Sequence, residues 1–174
     1  MRLSKAVTWL AGLAVLAVVT GAFAAPQSHK NDNDPDLIEI RHYPLKMAKI
    51  EQLAAATDEV NKILAADPAL KKEVNGEDMS KDESITKKAA RIDTQYPQFA
   101  AVLHRHGLTS REYIVVTLAF MNDVMIVGMK KQGSVQSYPP NTITTENAAF
   151  VEQNYDKLVE LGKRMSPPDE GDQN

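Results

Sequence analysis

The chain has no cysteine among its 174 residues. That absence excludes a disulfide framework, a lipid-modified cysteine, thiolate metal ligands, covalently attached c-type haem and a cysteine nucleophile, and it leaves stability to the core. Basic charge is also scarce. The 20 Lys and Arg fall to 18 once Arg2 and Lys5 are set aside, against 23 Asp and Glu, a net charge of about −5. Such a balance offers no electrostatic footprint for phosphate backbones or anionic lipid, so nucleic acid is not an expected partner. Catalytic patterns are missing as well: there is no Gly-x-Ser-x-Gly, no His-Glu-x-x-His and no glycine-rich phosphate loop. Carboxylate pairs such as Glu77-Asp78 and Asp82-Glu83 lie in a hydrophilic stretch, where they are solvated rather than tuned as acids and bases. The expectation is a protein that is not an enzyme, with no cofactor, and no internal repeat is present.

What the sequence does contain begins with "MRLSKAVTWLAGLAVLAVVTGAFAAPQ": basic Arg2 and Lys5, an apolar run from Ala6 to Val19, then Gly21 and the small residues Ala22 and Ala24. This order predicts a secretory signal peptide over residues 1–24, with an apolar run too short to span a bilayer comfortably. The mature chain is expected to be exported to the periplasm or beyond in a Gram-negative bacterium, with no transmembrane segment once the signal is removed. Residues 25–43 read as a flexible leader and residues 167–174 as a disordered tail, because polar runs such as "QSHKNDNDPD" bury too little apolar surface to offset their ordering entropy. Between them, residues 44–166 form one domain, since about 150 mature residues suffice for a single core.

Apolar residues in this domain recur at spacings of three and four, which predicts an all-α fold: a single helical bundle of four main segments plus one or two short helices. The first segment runs from near Pro44 to Ala66 with Ile50, Leu53, Ala54, Val60 and Leu64 on one face. Asp67, Pro68 and Asn75-Gly76 bracket a short helix. A stripe of Ile85, Ala89, Ile92 and Tyr96 precedes Pro97, which starts another short helix that Gly107 ends. "LTSREY" is a capping box in which Thr109 accepts from the Glu112 amide while Glu112 reaches back, and Leu108 staples onto Tyr113. That helix extends to Gln132 and Gly133. A last helix, Thr145 to Met165, carries the seam Ala148, Val151, Tyr155, Leu158, Gly162 and Met165.

The stretch "FMNDVMIVGM" sets Asn122 beside Asp123 in apolar surroundings. At 100° per residue Asp123 shares a stripe with Glu112, Ala119 and Lys130 and is expected at the solvent edge, whereas Asn122 points inward. Thr57 and Asn61 interrupt the apolar face of the first helix. The expectation is therefore a buried network of Thr57, Asn61 and Asn122, joined by Tyr155. It serves either to fix helix register, as buried Asn does in coiled coils, or to head an apolar ligand cavity. Thr117 is expected to bond back to the Tyr113 carbonyl and, with Ser110 and Gly128, to mark a close helix crossing. Met121, Met125 and Met129 follow at i, i+4, i+8; thioethers select Cu(I), but methionine is also an ordinary core filler. His104 and His106 diverge on a helix and suit its negative end better than a shared ion. "DNDPD" opens like a calcium loop, yet Leu37 stands where Gly is required and Tyr43 where Glu belongs.

At "YPLKMAKIEQL", "GLTSREYIVVTLAF" and "KKQG" most of the mature chain resembles small exported helical proteins of unknown function from Gram-negative environmental bacteria. The resemblance implies export and helical architecture and no activity. Periplasmic stress chaperones repeat Leu-Thr-x-x-Gln, whereas "LTSRE" occurs once and lacks the Gln. The b-type cytochrome bundle needs a His on its last helix, and none follows His106. The expected function is an exported binding or interaction module. Its partner is an unknown protein or a small apolar ligand or haem-like cofactor held between helices, with Met-based copper binding as a further alternative.

Overall fold

The computed structural model describes residues 33–76 and 83–166 of the chain. The expected signal peptide over 1–24, the leader residues 25–32, the carboxylates of residues 77–82 and the expected tail over 167–174 lie outside the described residues, whereas Glu83, expected in water, is half-buried and pairs with Arg91. Among the described residues the fold is all-helical, with no strand: α1 (Pro35–His42), α2 (Met47–Ala66), α3 (Pro68–Gly76), α4 (Ile85–Gln95), α5 (Pro97–Arg105), α6 (Ser110–Lys131) and α7 (Thr145–Met165).

Local chemistry sets most of the helix ends. The Thr109 hydroxyl accepts from the Glu112 amide at 3.1 Å, and Thr144 does the same for Asn147 at the start of α7. Asp67 accepts from Ala69 and Leu70 ahead of α3. Gly107 and Gly133 stop α5 and α6 at φ 74°, a conformation glycine adopts without strain. The reciprocal half of the capping box does not form, because the Glu112 carboxylate pairs with Lys49 at 3.0 Å and accepts from the Tyr43 hydroxyl. Burial and this bond both push the Tyr43 hydroxyl above the usual phenol range.

Two boundaries differ from the sequence reading. Residues 35–42, assigned to the leader, are helical: Asp34 caps the turn, Pro35 sits at its start and Arg41 and His42 end it. Composition missed α1 because it fully buries no residue, leaving Leu37 and Ile38 about two-fifths exposed, and docks through half-buried Ile40 and through polar contacts. Asp36 accepts from the Ile85 amide at 2.8 Å, and Arg111 pairs with Glu39. Asp34 and Asp36 of the apparent calcium loop are thus a cap and a helix tether. The second difference is the start of α2 at Met47 rather than Pro44. In residues 43–46 the Tyr43 carbonyl and the Leu45 amide bond to Asn147 of α7 rather than within a helix, as described below.

α6 lies at the centre, in contact with α1, α2, α4, α5 and α7. It is long and apolar enough to cross a membrane by length and composition, but 67% of its apolar window is buried by these neighbours, as in the core helix of a globular domain. Ile114, Val115, Val116, Ala119 and Val127 are at most 1% exposed. Each large aliphatic chain buried this way stabilises the fold by roughly 1.5–3 kcal/mol. α7 adds Val151, Leu158, Leu161 and Met165, and α2 adds Ile50, Leu53, Ala54 and Ala56, to the same cluster, while Val60, Leu64, Val74, Tyr96, Phe99 and Val102 form a second one.

Candidate functional site

The polar residues singled out in the sequence do not share one network. Thr57 meets the Tyr113 hydroxyl at 3.3 Å, whereas Asn61 donates to the Met165 carbonyl at 3.2 Å at the far end of α7. Tyr155 is half-buried, with the Lys131 ammonium 5.0 Å from its ring centre, and its hydroxyl lies where a Cβ on Gly128 would stand. Thr117 is 2% exposed, and its hydroxyl has no hydrogen-bond partner; it does not bond back to Tyr113. Gly128 does mark a close crossing, against Tyr155 on α7.

The rotation of α6 is the reverse of expectation. Asp123 is 1% exposed, and Asn122 is the half-buried member of the pair. The stripe that placed Asp123 in water was anchored on Glu112 and Lys130, which lie in the first and last turns, and on Ala119, which is fully buried. A helix ringed by five others has no single solvent stripe, so its ends do not report on its middle.

Around Asp123 the structure builds a junction from two asparagine amides. Asn122 Nδ2 donates to Asp123 Oδ1 at 2.9 Å and, with its other hydrogen, to the Thr142 carbonyl at 2.8 Å. Asn147 Nδ2 donates to Asp123 Oδ2 at 2.8 Å and to the Tyr43 carbonyl at 2.9 Å, while its Oδ1 accepts from the Leu45 amide at 3.1 Å. One carboxylate thus orients two amide forks. The Asn122 fork holds residues 132–144, the crossover from α6 to α7, and the Asn147 fork holds the linker between α1 and α2. Burial pushes the Asp123 carboxyl up to about 6, against the pull of both amides, and among the described residues no cation offsets its charge. Asn147, 3% exposed, was missed in the sequence; an Asn beside Ala148 on the α7 seam was the available signal.

A cleft of about 390 Å³ opens beside this junction. Its floor is the first turns of α7 (Thr145, Ala148, Ala149, Glu152) and its wall is the crossover, from Tyr138-Pro139-Pro140 through Asn141 to Ile143 and Thr144. Asn141 turns the wall at φ 57°, a left-handed conformation that Asn tolerates better than most residues. The wall is fastened at both ends. The Tyr138 hydroxyl donates to Glu152, which also pairs with Lys130 at 2.9 Å, and these two bonds hold the Glu152 carboxyl below its usual range. At the other end Thr142 is tied to Asn122.

The remaining candidates do not converge. Met121 packs against the core, Met125 is half-buried and Met129 is 37% exposed. Since i and i+8 stand about 12 Å apart along a helix, the three sulfurs cannot close on one ion. His104 is exposed and His106 bonds Glu59 at 2.9 Å; that bond, with Arg105 beside it, lowers the Glu59 carboxyl below its ordinary range. No protein-family model, curated protein or solved structure matches the chain.

Proposed function

We propose that the chain is an exported binding module and that the cleft between the crossover and α7 is its binding site. The observation that carries this reading is the cleft itself. It is an open depression of about 390 Å³ whose lining mixes Tyr138, two prolines, Ile143 and alanines with Asn141, Thr144, Thr145 and Glu152. That chemistry suits a small, mainly apolar molecule with one or two hydrogen-bonding groups. The ligand sits against α7 rather than between α2 and α6 as the sequence suggested, because Asn61 and Asn122 lie in different hydrogen-bond sets. The order of basic, apolar and small residues over 1–24 supports export. We read the architecture as a bundle whose main members are α2, α4, α6 and α7.

Native mass spectrometry of the protein taken from its own cell envelope tests this. A bound small-molecule mass is expected, and Ala149→Trp, which fills the cleft from an exposed position, removes it. A clean apo mass, or a bound mass that survives Ala149→Trp, contradicts the assignment. A bound polypeptide in place of a small molecule would turn the reading toward protein interaction.

A further inference from the structure

We propose that one proton taken up by the Asp123 carboxylate unlatches the cleft wall at Thr142, while the clamp on the linker between α1 and α2 stays closed. The proposal concerns regulation of the site assigned above and rests on that reading for its meaning, though not for its test.

The two forks are unequal. Asn147 is pinned at three points, and the Leu45 amide, which can only donate, fixes which end of its side chain is oxygen. Its Nδ2 must therefore face Asp123 Oδ2 in either charge state. Asn122 is half-buried and pinned at only two points, Asp123 Oδ1 and the Thr142 carbonyl. As an anion, Asp123 accepts from both forks. With a proton on board, one oxygen becomes an O–H donor and can no longer face an N–H donor without conflict. The Asn147 side cannot adapt, so the proton settles on Oδ1. Asn122 then turns its amide to present its oxygen to the new O–H. That rotation withdraws its nitrogen from the Thr142 carbonyl, and the crossover loses its hydrogen bond to α6 at Thr142 while its Tyr138 end stays held by Lys130 and Glu152. The water that supplies the proton needs only the half-exposed Asn122 edge for access.

The charged groups nearby do not compete for this role. At the end of α1 His42 is exposed, and on the linker the Tyr43 hydroxyl bonds Glu112 and Lys46 is exposed. On α7, Glu146 is exposed and Glu152 is held by Lys130 of α6 and Tyr138 of the crossover. Among the described residues, the two neutral amides are the groups that meet the Asp123 carboxylate. The buried charge has no counter-ion among the described residues, and burial raises its carboxyl to about 6.

The test is an NMR titration of the full chain between about pH 5 and pH 8, a window that brackets the raised Asp123 value. It follows the Asp123 carboxyl carbon, the Thr142 carbonyl carbon, the Asn122 and Asn147 side-chain amides and the Leu45 backbone amide. The Thr142 carbonyl and the Asn122 amide are expected to move with the same midpoint as the carboxyl carbon, while Leu45 and Asn147 shift far less. Hydrogen exchange across residues 141–144, corrected for intrinsic rates, should be about fivefold faster on the acid side, the size one ordinary hydrogen bond implies. In Asn122→Ala the carboxyl still titrates but the Thr142 response and the exchange change disappear. Any of three results overturns the proposal: a carboxyl that does not titrate in this window, a carboxyl that titrates without Thr142 following, or Leu45 moving as much as Thr142. The readout contains no ligand, so a cleft that binds nothing would defeat the functional reading and leave this one standing.

Discussion

Asn147 makes more of this fold than any single apolar side chain in its neighbourhood, because it satisfies a backbone donor, a backbone acceptor and a buried carboxylate at once. Asn147→Ala strands the Leu45 amide and the Tyr43 carbonyl and leaves the Asp123 carboxylate with only the Asn122 amide, and groups so stranded cost about 1–3 kcal/mol each before relaxation. The expected loss is about 3 kcal/mol or more in urea unfolding, against about 1 kcal/mol for Asn122→Ala, whose partners can reach water. Equal losses would mean that the linker clamp is not the stronger of the two. Thr117 presents the opposite case, a buried hydroxyl with nothing to bond. Thr117→Val removes that burden at nearly constant shape and is expected to raise stability by about 1 kcal/mol. A loss of the same size would place a bound water at the hydroxyl. Neither residue's role was legible in the sequence. Helical periodicity gives a residue's angle on its own helix, but the partner of Asp123 comes from α7, 24 positions on, and no local pattern encodes it.

At the scale of elements, the features that depend on neighbouring residues were legible. Thr109, Asp67, Gly107 and Gly133 mark the ends they were expected to mark, since capping and left-handed stops act over three or four positions. What escaped were elements positioned by distant contacts: α1, held by Asp36 and Glu39, and the extended residues 43–46, held by Asn147. The crossing of α6 and α7 gives a test at this scale. A Cβ on Gly128 would stand 2.6 Å from the Tyr155 hydroxyl oxygen. Gly128→Ala should therefore be neutral or destabilising alone, yet in a Tyr155→Phe background it should gain most of the roughly 1 kcal/mol by which Ala exceeds Gly inside a helix. Additive effects of the two substitutions in urea unfolding would deny the contact.

The whole molecule carries an uncompensated charge at its centre, and its stability should depend on pH accordingly. The folded Asp123 titrates near 6 and the unfolded one near 3.8, so between these values the folded state holds a proton that the unfolded state does not. Stability from this group therefore rises as pH falls through about 6, levels off below about 4, and is absent above neutrality. The full difference is on the order of 3 kcal/mol, at about 1.4 kcal/mol per unit. Asp123→Asn, whose amide stands in for the protonated carboxyl and meets the turned Asn122 oxygen, should raise stability above neutrality and flatten the slope relative to the unsubstituted chain. The most direct measurement is the midpoint of the Asp123 carboxyl carbon itself in the folded chain. A midpoint near 6 is expected for this buried carboxylate held by two amides; a midpoint near 4 would contradict the account of an uncompensated buried charge.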